Sequence, residues 1–428
     1  MGEYEIILFL QSMFTGKSIG IIISIIILVG GAYFFEIWPF SSLEKRVPIA
    51  IENGKEVIFD EPVPIANTGN VSPITGLPCN RWNGRPVAVA QPGEKNARPA
   101  AGFSDADIVF EMPVFTGSTT RLLGVYICTL PKDIGSIRSA RHDHIPLAKS
   151  FDAVFIHWGY SKFAETLLDR KLIDNIDCLT TSFCPRWDRS EWTGRMTLED
   201  SGRIPSANIA QAMEKYGYKS EGTFSGYPHQ ADASLDARPE AGRLRVAFKN
   251  PYDVSYDYDR NTNSYLRTWD QDPDTDKNNG KRVAPKNVVV MFAESEQIKL
   301  SIDYKARGVQ DPWELIPEHD RAGLNDIPGA PGIGRYNNIN MGDPWFDTKD
   351  SGEAYYYMNG KQYHGTWKKD KSTLESKLMF LDEAGKEIMF VPGQIWVDVL
   401  EPGQGMKWEP NRKAGESGVA EAPVNSGE

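Results

Sequence analysis

A chain of 428 residues with a formal net charge of −11 is longer than one hydrophobic core usually serves, so two folded parts plus an ancillary segment are expected. Apolar residues at 40% and aromatics at 11% exclude global disorder. The acidic balance argues against nucleic acid as a partner, since binding there needs a basic face to displace counterions.

In chain order, residues 19–35 are almost wholly apolar and about as long as a bilayer core requires. They are expected to form a transmembrane helix, with residues 1–40 as a membrane anchor. A cleaved signal would be shorter and end at small residues, and a lipoprotein signal would end at a cysteine, yet no cysteine precedes Cys79. An uncleaved, single-pass signal anchor is the reading, although Lys17 on one side and Lys45, Arg46 and Lys55 on the other give no orientation. Residues 41–71 are polar and Pro-rich, the composition of a linker.

A layered α/β domain is expected over 72–242. Strands are predicted at 86–91, 107–114, 121–129 and 153–158, with helices at 143–150, 161–172 and from a Ser206 cap to Gly217. A smaller, mainly antiparallel β domain is expected over 243–402, with strands at 244–248, 254–258, 265–269, 287–292, 298–304 and 394–400. Two hairpins are predicted there, turning at Asn359-Gly360 and near Ala384-Gly385. Residues 270–281 read as an acidic turn region, and 403–428 as a disordered tail.

The densest chemistry lies at Ile134-Gly135-Ser136-Ile137-Arg138-Ser139-Ala140-Arg141-His142-Asp143-His144, between a predicted strand and a predicted helix. Arg138 and Arg141, joined by Arg121 and by Arg98 if its loop folds over, form a candidate anion site with Ser136, Ser139, His142 and His157. Guanidinium forks match phosphate or carboxylate, and unpaired N–H groups at a helix start would add to them. The bland alternative pairs these arginines with Asp105, Asp107 and Glu111. His157, Asp107 and Glu111 are candidate catalytic groups. His142-Asp143-His144 alone is too sparse for zinc, so no metal and no cofactor is expected. Cys178 and Cys184 are spaced to close a small disulfide loop, and spacing leaves open whether Cys79 and Cys128 pair.

Several stretches together resemble the YerB-like family of bacterial envelope proteins. They are Ser72-Pro73-Ile74-Thr75-Gly76-Leu77-Pro78, Asn96-Ala97-Arg98-Pro99, Gly102-Phe103-Ser104-Asp105-Ala106-Asp107-Ile108-Val109-Phe110-Glu111, Thr120-Arg121, residues 134–141, Phe155-Ile156-His157-Trp158-Gly159, Gly365-Thr366-Trp367-Lys368-Lys369 and Val391-Pro392-Gly393-Gln394-Ile395-Trp396. The resemblance implies an α/β domain followed by a β-rich domain, tethered to a bacterial membrane with both outside the cytoplasm. Where the family carries Pro-His-Asn, this chain has Pro205-Ser206-Ala207-Asn208. The function expected is binding of an anionic envelope ligand, a phosphate-bearing lipid or wall polymer. The alternatives are a phosphoryl transferase or hydrolase acting on such a polymer, and a scaffold for an envelope protein partner.

Overall fold

The computed structural model describes residues 69–298 and 350–412 apart from 115–118, 193, 195, 249–250 and 402, together with 49–52, 55–58, Pro64 and a few positions between 303 and 339. The expected anchor at 19–35 and residues 413–428 lie outside the described residues. Among the described residues no helix is long and apolar enough to cross a membrane. The chain divides into two units, Met1–Glu61 and Pro62–Glu428. In the first, Ile49–Glu52 and Lys55–Ile58 pair antiparallel.

The second unit is β-rich with few helices. Apart from the short antiparallel pair Ser295–Gln297 and Asn337–Ile339, its strands are β1 Val87–Pro92, β2 Ile108–Pro113, β3 Thr120–Tyr126, β4 Asp133–Gly135, β5 Val154–His157, β6 Asn175–Asp177 and β7 Arg203–Pro205. They continue as β8 Gly242–Ala247, β9 Val254–Asp259, β10 Ser264–Trp269, β11 Asp272–Pro273, β12 Asn287–Phe292, β13 Ser351–Met358, β14 Lys361–Lys368, β15 Met379–Asp382, β16 Ile395–Leu400 and β17 Gly405–Pro410. The helices are α1 His144–Ser150, α2 Lys162–Asp169 and α3 Ser206–Tyr216.

Ten strands form one mixed sheet in the order β15-β14-β13-β12-β16-β2-β3-β1-β5-β6. Strands from both 72–242 and 243–402 share it, because β16 lies between β12 and β2 and runs parallel to each. The expected α/β layering holds in part: α1 and α2 bridge the parallel neighbours β1, β5 and β6, while β2, β3 and β1 pair antiparallel. Period two sorts the side chains to two faces. Ala88, Ala90, Phe110, Leu123 and Val397 pack in one core, and Val87, Val89, Val109, Leu122 and Trp396 in the other. A sheet covered on both sides needs continuous apolar strands, which is why β1, β2, β3 and β16 are buried at every residue.

The cover on the second face is a five-stranded antiparallel sheet, β11-β10-β9-β8-β17. Its strand β8 alternates buried and solvent-facing residues, so only one side packs inward. Strand β17 corrects the expected tail: Gly405–Pro410 pairs along the whole of β8, with Met406 opposite Val246 and Trp408 opposite Leu244. Ser206 is likewise not the cap of α3; Pro205 holds that position without a side-chain bond, and Gly217 ends the helix at φ 69°. The expected strand at 298–304 falls mostly outside the described residues.

The β13–β14 hairpin turns at Asn359 and Gly360, both at positive φ (53° and 71°), as the primed turn requires. A Cβ on Gly360 would lie 2.4 Å from Tyr258 Cε1 and 2.6 Å from Pro239 Cγ. Gly360→Ala therefore meets both an unfavourable φ and a clash, and is expected to lower the unfolding free energy by more than about 1 kcal/mol in denaturant titrations.

Candidate functional site

The 134–144 stretch is held across the carboxyl ends of the parallel strands β1 and β5. Arg138 N donates to Ala90 O at 2.8 Å, Ala140 N to Gly159 O at 2.9 Å, and Trp158 N to Arg138 O at 3.0 Å. Crevices beyond the carboxyl ends of parallel strands are where α/β sheets place ligands. Arg121 stands at the same edge, opposite Pro92 of β1 and Met112 of β2.

Three of the four expected arginines meet there. Arg121 is buried, and its Nη2 lies 3.6 Å from Glu94 Oε1. Burial first, then the neighbouring Arg141, pull its guanidinium down to about 9, with Glu94 opposing and Arg138 adding to the effect. Arg138 is anchored by Asp200 and by Glu199 O at 2.9 Å. Arg141 Nη1 donates to the carbonyls of Ser139 and Ala140 at 3.2 and 3.1 Å. His142 joins them, its Nε2 3.4 Å from Asp143 Oδ1. His144, left out of the expected ligand set, is 1% exposed with neither ring nitrogen hydrogen-bonded. Burial and then Arg121 and Arg141 hold its pKa well below the ordinary histidine value. Glu94 Oε2 and Arg121 Nε are also buried without a partner. Helix α1 contributes little, having seven residues and the acidic Asp143 at its N-cap.

Other expected site residues are committed elsewhere. Ser136 Oγ donates to Asp200 O, and Ser139 lends only its carbonyl. His157 is buried with Nδ1 at 2.9 Å from Gly159 O and Nε2 at 3.2 Å from Asn175 Oδ1, which fixes the end of β5. Arg98 pairs with Asp274 and lies over the Trp269 ring. Asp107 accepts from Ser72 Oγ, Ile127 N and Cys128 N, and burial pushes its carboxyl up to about 6. Beside it Cys79 and Cys128 form a disulfide, as do Cys178 and Cys184. Asn208 of the departing Pro-Ser-Ala-Asn stretch donates to Phe183 O within the second disulfide loop. Among the described residues, no group of three or more His, Cys, Asp or Glu side chains is arranged to hold a metal.

Glu111 reveals a group that sequence reading missed. It accepts from Thr120 Oγ1 at 2.7 Å and pairs with Arg267 of β10, which also pairs with Asp274. Asp398 stands opposite Glu111 in the parallel register, and burial with that carboxylate lifts it to about 8. The signal was available: Arg267 shares the inward parity of Tyr265 and Trp269.

A neutral buried histidine has a pH signature. His144 stays unprotonated in the fold while the unfolded chain binds a proton below about 6.5, so its contribution is full above that value and is lost as pH falls. The stability difference between the parent and His144→Phe, whose ring suits the edge-on contact with Phe155, is expected to move in the variant's favour by up to about 1.4 kcal/mol per pH unit between pH 6.5 and 5. A constant difference across those pH values would sink this.

Comparison with known proteins gives the fold a family. Two models match, "Protein of unknown function (DUF3048) N-terminal domain" over residues 74–218 and its C-terminal domain over 244–311 and 334–397. The Bacillus subtilis (strain 168) protein named "Putative lipoprotein YerB" is 27% identical over 338 residues, 77% of this chain and 86% of its own. The crystal structure of YerB protein from Bacillus subtilis superposes with a TM-score of 0.60 at 23% identity, covering 79% of this chain and 99% of that one. On these matches the chain belongs to the DUF3048 family.

Proposed function

We propose that this protein is held at a bacterial membrane with its folded unit outside the cytoplasm, and that it binds a phosphate-bearing ligand between Arg121, Arg138, Arg141 and His144. The observation that carries the ligand reading is the buried Arg121, whose nearest carboxylate is 3.6 Å away and whose neighbours are two further guanidiniums. A guanidinium buried this deeply, with Glu94 at 3.6 Å as its one ion-pair partner among the described residues, is costly to hold charged and would gain from a further anion. The name of the Bacillus relative and the two disulfides support the location, since disulfides persist in oxidising compartments. The apolar run 19–35 would be the tether, in which case the full chain stays with membranes after carbonate extraction and a chain lacking 1–40 does not. Binding is favoured over turnover because Asp107, Glu111 and His157 are each engaged in holding the fold.

The test is thermal unfolding of the full-length protein in detergent with inorganic phosphate and pyrophosphate. Saturable stabilisation is expected, reaching about 2.7 kcal/mol at a hundredfold excess over the dissociation constant. Arg121→Met combined with Glu94→Gln removes both charges of the pair, so the double variant should fold while losing the response to both anions. Absence of any shift in the parent would overturn the reading.

A further inference from the structure

The edge that carries the arginine cluster also collects most of the large apolar side chains that the fold leaves outside. Among the described residues seven large hydrophobics are exposed, and Tyr160, Leu179, Leu198 and Tyr216 are four of them. Single exposed apolar residues are ordinary, whereas several around one crevice mark a contact surface. Short contacts tie these four to the ends of β5 and β6. Leu179 Cδ2 stands 3.6 Å from the place a Cβ on Gly159 would take, and Tyr160 bridges to Ala140, between Arg138 and Arg141. Leu198 O accepts from Arg186, whose guanidinium lies over the Trp158 ring 4.2 Å from its centre. Tyr216 Oη donates to Thr181 Oγ1 at 3.2 Å, within the Cys178–Cys184 loop.

Leu179 is presented by construction. The disulfide closes its loop, and Asp177 Oδ1 accepts from both Gly159 N and Leu179 N at 2.9 Å. The charges sort as well. Asp177 is spent on those two N–H groups, Asp200 on Arg138, and Glu165 on Lys162 at 2.8 Å, while Glu199 stays exposed. Arg186 donates to Leu198 O and Ser201 Oγ and, among the described residues, to no carboxylate. Arg138, Arg141 and Arg186 are each partly exposed, so an anion reaches them from solvent.

Leucines and tyrosines beside guanidiniums suit one occupant, a bilayer of phosphate-bearing lipid. Apolar side chains enter the acyl boundary, tyrosine rings lie at headgroup level and cationic heads meet phosphate. A soluble phosphate would leave both leucines in water. The proposed tether keeps a bilayer within reach, so a patch of this size needs little affinity of its own. We propose that this edge docks on the membrane surface, with Leu179 and Leu198 among the headgroups and lipid phosphates at Arg138, Arg141 and Arg186. It rests on the phosphate reading for its anion and names a lipid headgroup as the source.

The test reconstitutes the full-length protein in phosphatidylcholine vesicles, with and without phosphatidylglycerol, labelled with a fluorophore at Leu198→Cys or, for reference, at Leu235→Cys. Leu235 is 48% exposed beside the β9–β10 turn, where its carbonyl accepts from Arg260. The native cysteines are all paired, so the label goes to the introduced thiol. Quenching by brominated lipid is expected to be at least threefold stronger at 198 than at 235, and at least twofold stronger with phosphatidylglycerol than without. Leu179→Ser, at a position 63% exposed, should melt like the parent and halve the quenching at 198. Equal quenching at 198 and 235 would overturn the docking, as would quenching at 198 that phosphatidylglycerol leaves unchanged. The phosphate titration in detergent reads the anion site apart from any bilayer, so the two readings fail separately.

Discussion

Arg267→Met is expected to lower the unfolding free energy by about 3–5 kcal/mol, the cost typical of removing one partner from a buried ion pair. Arg267 is fully buried between the two sheets, paired with Glu111 of β2 and Asp274 after β10, and it lies over the Trp396 ring 4.4 Å away. Methionine fills the volume but leaves Glu111 as an unbalanced carboxylate beside Asp398. Domains of ordinary stability have only about 5–15 kcal/mol in hand, so the variant should lose a third or more of a mid-range stability. Adding Glu111→Gln to Arg267→Met should recover a large part of the loss, because the stranded charge is then gone. Denaturant titration followed by tryptophan fluorescence reads all three proteins. If Arg267→Met proves as stable as the parent, the network is not what locks the small sheet to the large one.

The second large effect belongs to Cys79–Cys128. These residues are 49 apart in sequence, and a crosslink over such a loop removes chain entropy worth about 4 kcal/mol from the unfolded state. Cys178–Cys184, only 6 apart, is worth about 2 kcal/mol on the same account. The paired change Cys79→Ala with Cys128→Ala should therefore destabilise the protein about twice as much as Cys178→Ala with Cys184→Ala. The long-loop pair also removes a constraint next to Asp107, whose carboxylate accepts from Cys128 N and Ser72 Oγ. Equal losses for the two pairs in denaturant titrations would contradict the loop-length argument.

Local pattern made most of the strands legible. Apolar runs marked β1, β2 and β12 within a residue or two, and Asn359-Gly360 named its own turn because few other dipeptides accept two positive φ values. What could not be read were pairings between distant segments. Nothing near residue 395 says that β16 will lie beside β2, and nothing in the acidic stretch says that Asp274 and Asp276 will be buried. Asp276 there accepts from Gly102 N, Ser104 N and Ser104 Oγ, an attachment that reads in sequence as a solvated turn. Strand β17 was hidden by its Gly, Glu and Pro, although Met406 and Trp408 alternate as a strand should. The site followed the same rule. Arg138, Arg141 and His142 were visible because they are contiguous; the Arg121–Glu94 pair was not, because strand pairing alone brings those two residues together. Arg98, assigned to the same cluster by its residue type, went instead to Asp274, a partner 176 residues away.

The position of β16 sets the order in which this protein can be made. Strands β12 and β2 have no contact in the sheet except through Ile395–Leu400, which arrives when almost all of the chain has already emerged. Until then β2 presents an open, mostly apolar edge, and β12 presents another. Such edges are templates for pairing with other chains, and the sequence distance that β16 must close is of the kind that slows folding. A ribosome stalled before residue 395 would therefore hold a nascent chain whose two sets of strands are not yet one sheet and whose open edges are prone to aggregate; β16 is the strand that closes the gap between them.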